Sequence, residues 1–251
     1  MLHHQEDPWY KPSDLEEAWD IFQKRQARVT VVIPTRNEGE SLGDIIEHCR
    51  PYADELLVVD GHSRDNTREV AEGAGVRFIL DHGKGKGDGI RTAIAAADGD
   101  VLVFIDADYS HRPADIPRLV APILKGEADH VVGSRPKGGS DELHGDVNKF
   151  MRMIGSDIIT LGINYRFNVR LSDSQNGFRA IRTAVARDLG LRENITTIEQ
   201  EMTIKTLARG YRLVEVPAHE YARRFGESKI KLSIHSLRYL YSWIKYLLFP
   251  R

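Results

Sequence analysis

Val101-Leu102-Val103-Phe104-Ile105 is a run of five apolar residues with no polar alternation, bounded by Gly99-Asp100 and by a polar stretch. A run this short and uniform fits a strand covered on both faces, the pattern of a parallel sheet. Three more strands are expected upstream: Arg28 to Ile33, stopped by Pro34; Glu55 to Val59, ending on Asp60-Gly61-His62-Ser63; and Val76 to Leu80. Helix signals lie between them. Asn37 is placed to cap a helix from about Glu38, a second helix starts near Asp65, and a third carries Ile90, Ala93, Ile94 and Ala97. This alternation predicts a doubly wound, mostly parallel α/β sheet flanked by helices, with right-handed crossovers.

Ligands of such sheets bind outside the carboxyl ends of the strands. Asp60, Lys86, Asp106 and Asp108 all fall on that rim. Asp106 and Asp108, separated by Ala107, point into one region, and paired hard oxygens suit Mg2+ or Mn2+ holding a diphosphate. A polar strand end capping the next helix is the lesser reading of the pair alone, and Asp60 alone suits a structural strand end equally well. Their joint placement favours a site. The run Gly83-Lys84-Gly85-Lys86-Gly87-Asp88-Gly89 opens a helix whose amino terminus suits phosphate. It matches neither G-x-x-x-x-G-K-[ST] nor G-x-G-x-x-G, having Asp88 where the latter needs its third glycine, so a P-loop NTPase and a dinucleotide-dependent oxidoreductase are disfavoured. A flexible solvated loop is the other reading.

Composition removes further classes. The formal charge of −2 argues against a nucleic-acid binder. Cys49 is the single cysteine, which excludes an internal disulfide and suits a reducing compartment. Met1 to Tyr10 is too polar for a signal peptide, and no stretch reaches the roughly 20 apolar residues of a membrane span. A cytosolic protein is expected, with a reservation for its last helix.

Outside the alternating core, Leu15, Ala18, Trp19 and Phe22 share one face of a short helix near the amino terminus. Pro136 to Val147 reads as a long polar loop beside the rim, of the kind used as a lid or binding loop. Thr197 to Leu207 reads as a helix carrying Glu199 and Glu201 toward or beside the site. After a strand from Leu213 to Val216 comes Arg223-Arg224-Phe225-Gly226-Glu227-Ser228-Lys229, an anion clamp or a solvated basic turn. In Ser233 to Phe249, Leu237, Leu240, Tyr241, Ile244, Leu247 and Leu248 form an apolar stripe with basic residues nearby. That pattern predicts an amphipathic interfacial helix with Tyr239, Trp243 and Tyr246 at headgroup depth, or else a core helix or dimer contact.

Several motifs together resemble family 2 glycosyltransferases with the GT-A fold: Val31 to Glu38, Val58 to Ser63, Asp106 to Pro113, Val132 to Arg135, Asp173 to Arg179, Glu215 to Pro217, and Arg223 to Lys229. The likeness spans roughly Val29 to Ser236 and looks like the dolichyl-phosphate mannose synthase branch and its polyprenyl-phosphate relatives. The resemblance implies that Pro34, Thr35, Glu38, Asp60, Lys86 and the Asp106-Ala107-Asp108 stretch hold a sugar nucleotide, with the metal on Asp106 and Asp108. It implies that Arg135, Arg223, Ser228 and Lys229 receive the acceptor phosphate, with Asp106, Asp108, Arg135 and Arg223 as the catalytic set. Ser110 and Gln175-Asn176 depart from the pattern of many relatives.

A sugar hydroxyl acceptor needs a carboxylate base, whereas a polyprenyl phosphate is already anionic and needs cations. The arginines suit the second, and the absence of Gln-x-x-Arg-Trp suits a single transfer. The expected protein has a helical extension at 1–27, a GT-A domain at 28–231 and an interfacial helix at 232–251. Its expected activity is inverting transfer of one hexose, first from GDP-mannose to dolichyl phosphate, on the cytosolic face of a membrane. UDP-glucose or UDP-N-acetylglucosamine is the alternative donor. Other readings are a soluble hydroxyl acceptor with Glu201 or Asp173 as base, and a non-catalytic nucleotide-binding subunit. A membrane-anchoring partner subunit or a homodimer is compatible with all of these.

Overall fold

A computed structural model describes residues 12–141, 147–222 and 232–250. Seven strands form one sheet: β1 (Val29–Thr35), β2 (Glu55–Asp60), β3 (Arg77–Leu80), β4 (Val101–Phe104), β5 (His130–Ser134), β6 (Arg179–Arg182) and β7 (Leu213–Pro217). Their order is β3-β2-β1-β4-β6-β5-β7, and only β6 runs against its neighbours. The uniform apolar runs are explained by cover on both faces. Val31, Ile33 and Val103 pack under α2 (Gly39–Cys49) and α5 (Ile116–Leu124). Val32, Leu57, Leu102 and Phe104 pack under α4 (Lys86–Ala96) and α9 (Ile198–Ala208). Phe22, from α1 (Pro12–Gln23), is fully buried in the first of these cores.

Three local expectations are corrected. Pro34 does not stop β1, which continues to Thr35 with Pro34 opposite Val59 of β2. Pairing of β1 with β4 ends at Val32, so no ladder bond on that side needs the missing N–H. Asn37 does not cap α2. It adopts a left-handed backbone (φ 57°), and its side chain accepts from Arg64 N–H, while Asp65 accepts from Gly39 N–H at the start of the helix. Nor is Pro136 to Val147 one long loop. Arg135–Gly138 forms the turn α6, Ser140 bridges to Glu220, and Val147 begins α7 (Val147–Phe167). Residues 142–146 lie outside the described residues.

The carboxyl end of the chain forms α10 (Leu232–Leu248), packed on α7 and α9 through Ile159, Ile163, Ile204 and Tyr246. The expected membrane-facing aromatics turn inward instead. Tyr246 is buried, Tyr239 donates to Thr196, and Trp243 packs so tightly over Gly162 of α7 that a Cβ there would collide with its ring. The opposite face of α10 stays exposed, with Leu240, Tyr241, Ile244 and Leu248. On α7, Met151, Ile158, Leu161 and Tyr165 are exposed as well, Tyr165 at 91%. Among the described residues, no helix is long and apolar enough to cross a membrane.

Candidate active site

Strands β1, β2, β4 and β5 end on one rim, and the reversed β6 brings the segment before it to the same place, because Arg179 at its start pairs with Phe104 at the end of β4. Asp106, Asp108, Lys86 and Gly177 therefore converge from three separate stretches of chain. Lys86 Nζ donates to Asp106 Oδ2 at 3.0 Å, stands 2.8 Å from Oδ1, and lies 3.3 Å from Glu199 Oε1. Burial alone would lower the Lys86 pKa, but Asp106 and Glu199 outweigh it and the ammonium is held charged well above its ordinary range. Glu199 is 4% exposed, and burial raises its carboxyl against the pull of Lys86 and Arg179. Its Oε2 is buried without a hydrogen-bond partner.

Asp106 and Asp108 leave the core side by side because Ala107 between them is buried. Asp108 Oδ1 accepts from Ser110 N–H at 3.0 Å. Among the described residues, no group of three or more His, Cys, Asp and Glu gathers as a metal cage. The donor set is a pair of hard carboxylates with a cation already drawn to one of them, which fits a divalent ion whose remaining ligands come from a bound diphosphate and water.

The other expected donor residues are placed as follows. Asp60 is 2% exposed and accepts from Thr35 Oγ1 at 3.1 Å and from Ser63 N–H at 2.8 Å, so it holds the β1 and β2 ends together. Pro34 and Glu38 flank that junction, half-buried, with Glu38 N–H donating to Thr67 Oγ1. The glycine-lysine run is exposed at Gly83 and Lys84 and packed against protein from Gly87 onward. Asp88 folds back to accept from His82 N–H at 2.9 Å and from Arg91 at 2.8 Å. Close backbone approach is needed there, but by protein: a Cβ on Gly85 would lie 2.7 Å from the Asn194 carbonyl.

Arg135 stands at the end of β5. Its Nε and Nη2 grip Asp173 at 2.6 and 3.0 Å, and Nη1 reaches Glu220 at 3.3 Å. Burial would raise the Asp173 carboxyl, yet Arg135 and the surrounding N–H groups hold it below its ordinary value, so it is a poor base. Glu201 is a poor base for another reason: it is fully buried, paired with Lys205 at 2.8 Å, and accepts the N–H groups of Arg192 and Glu193. Arg223, Ser228 and Lys229 lie outside the described residues.

Sequence reasoning gave no role to Arg179, Asn176 and Glu220. Arg179, 1% exposed, donates to the carbonyls of Asn176 and Glu199 and so fixes the segment before β6 against α9. Asn176 donates to the Gly133 carbonyl at 2.7 Å. Nothing local in the sequence marks these contacts. The only signal was the polar run Asp173 to Arg179 itself.

Residues 30–190 match the family described as glycosyl transferase family 2. The chain is 34% identical over 224 residues to an undecaprenyl-phosphate mannosyltransferase of Micrococcus luteus, covering 81% of this chain and 87% of the relative. It is 32% identical over 232 residues to a dolichol-phosphate mannosyltransferase of Pyrococcus furiosus, covering 87% of this chain, and 31% identical over 203 residues to glycosyltransferase AglJ of Haloferax volcanii, covering 79% of it. The alignments span 64% of the length of each of those two relatives. In three dimensions it resembles glucosyl-3-phosphoglycerate synthase of Mycobacterium tuberculosis, solved with Mn2+, UDP-glucose and phosphoglyceric acid, at a TM-score of 0.74 and 23% identity over 96% of this chain and 86% of that one. The shared architecture is the GT-A fold.

Proposed function

The chain belongs to glycosyl transferase family 2 and is a glycosyltransferase, and from that premise we propose that it moves one hexose, with inversion, from a sugar nucleotide to a polyprenyl phosphate. GDP-mannose is the first donor, supported by the Asp106 to Pro113 motif and by relatives named mannosyltransferases. UDP-glucose or UDP-N-acetylglucosamine is second. In this reading Pro34, Thr35, Glu38, Asp60, Lys86 and Ala107 form the nucleotide cleft with Asp106 and Asp108. Mg2+ or Mn2+ on these two carboxylates supplies counter-charge to the departing diphosphate. Arg135, Arg223, Ser228 and Lys229 receive the acceptor phosphate, whose anionic oxygen attacks without a base.

The observation that carries the lipid acceptor is the exposed apolar face of α7 and α10 and its tie to the site. Thr160 of α7 shares a 2.8 Å hydrogen bond with Ser174, and Gln200 of α9 donates to the Tyr239 carbonyl of α10. Lying on the cytosolic membrane surface, that face brings the rim to a lipid-borne phosphate. A soluble hydroxyl acceptor is the second reading, favoured by the unpartnered Glu199 oxygen, which would serve as base in place of Asp173 or Glu201. Purified protein is to be incubated with labelled GDP-mannose, UDP-glucose and UDP-N-acetylglucosamine, against short polyprenyl phosphates and against 3-phosphoglycerate. Label in the organic phase supports the proposal. Label confined to a water-soluble product overturns it.

A further inference from the structure

Both oxygens of Asp106 are engaged by one ammonium, with Lys86 Nζ at 2.8 and 3.0 Å. A divalent ion on the same carboxylate needs an oxygen at about 2.1 Å if it is Mg2+. An ionised carboxylate keeps lone pairs beside such an ammonium, but a dication bonded to either oxygen would stand close to Nζ, and like charges so close repel. The metal and Lys86 in its present position therefore oppose one another at Asp106.

The surroundings decide what moves. The backbone under Lys86 is clamped, since Gly87 N–H donates to the Asn194 carbonyl at 2.9 Å and the Gly85 Cα packs on the same carbonyl. The side chain is a flexible stem with a single charged end, 26% exposed. Gly177 keeps the space beside the pair free of side chain: a Cβ there would sit 3.1 Å from Nζ and 3.5 Å from Asp106 Oδ2. Glu199, at 3.3 Å, is the only other anion within ion-pair distance of Nζ among the described residues, and it cannot release Lys86 from Asp106 while both are engaged. A nucleoside diphosphate brings two or more negative charges to this rim and offers the ammonium a new partner.

We propose that Lys86 is the resident counter-ion of Asp106, so that a divalent ion alone binds weakly and the donor diphosphate admits it by drawing the ammonium off the carboxylate. This rests on the metal assignment made for the proposed function. Metal and nucleotide affinities are then coupled, each raising the other. Lys86 acts as a positioning residue for the metal before it touches the donor.

The test is calorimetric titration of Mn2+ into wild-type protein and into the Lys86→Met and Lys86→Gln variants, with and without GDP or UDP, with thermal melts confirming the fold. Without nucleotide, both variants bind Mn2+ about tenfold more tightly than wild type, the ratio that about 1.4 kcal/mol of released competition gives. With nucleotide the order reverses, because the variants lack the cation that follows the diphosphate. A merely structural lysine has no means of raising metal affinity on its removal. Variants that bind Mn2+ alone no more tightly than wild type overturn the counter-ion role and leave the metal assignment standing. Absence of Mn2+ binding by wild type with either nucleotide overturns both.

Discussion

Asp115, at the start of α5, is 2% exposed, and neither carboxylate oxygen has a hydrogen-bond partner. Burial pushes its pKa up from 3.8 to about 7, against the opposing charges of Arg118 and His219. The folded value lies above the unfolded one, so the folded state keeps the proton between those limits while the unfolded state has lost it. The cost to stability is therefore absent below about pH 4, grows as pH rises, and is complete above about pH 7. At about 1.4 kcal/mol per pH unit, it reaches roughly 4 kcal/mol. Asp115→Asn imitates the protonated form. Urea unfolding followed by tryptophan fluorescence should show the variant more stable by about 2 kcal/mol at pH 5 and by roughly 4 kcal/mol at pH 8. A difference that does not change with pH, or a variant weaker than wild type at pH 8, refutes the reasoning and means that Arg112, whose Nε lies 3.7 Å from Asp115 Oδ2, and the nearby Arg118 charge hold Asp115 as an anion.

Asp108→Ala should cut transfer by about a hundredfold or more, as should excess chelator, measured as radiolabelled product; full activity in chelator sinks the metal role. Arg135→Ala strips the cation from buried Asp173 and should cost about 3 to 5 kcal/mol, read by denaturant melts. Arg135→Lys keeps the charge without the fork, so it should slow transfer while leaving nucleotide binding by calorimetry unchanged; chiefly weakened donor binding would place this residue on the wrong substrate. Leu161→Glu with Tyr165→Glu, on exposed positions of α7, should abolish sedimentation with anionic vesicles and leave nucleotide affinity intact. Undiminished sedimentation would remove α7 from the membrane face.

The placement of Asp60, Lys86, Asp106 and Asp108 on one rim was legible because its cues are local. Uniform runs such as Val101 to Ile105 are doubly covered strands, and a polar cluster after each strand lies on the rim by topology alone. The surroundings of Arg135 were less legible. No residue in Arg179 to Arg182 announces that β6 runs backwards, and the pairing of Arg135 with Asp173 joins positions 38 apart. Periodicity placed α9 correctly but said little of its setting, since Glu199, Gln200, Glu201 and Lys205 are buried among its apolar residues. Of the apolar stripe expected on α10, Leu240, Tyr241, Ile244 and Leu248 are exposed while Leu247 packs inward, and Tyr239, Trp243 and Tyr246 were assigned to headgroup depth because α7, which they pack beside, had gone unread.

Helix α9 has a consequence for how such a chain changes over generations. Nine consecutive residues, Ile198 to Thr206, are hidden from solvent, and the polar ones are bound to different neighbours. Glu201 holds the 192–193 backbone, Gln200 the terminal helix, Thr203 the Ser174 carbonyl, and Thr206 the ring of His130. Replacing any one of them strands a partner belonging to another part of the molecule, so single steps are penalised whichever residue is tried first. Such a helix is constrained to change nearly as a block, whereas the outer faces of α7 and α10, exposed among the described residues, carry no such ties and leave single substitutions there cheap.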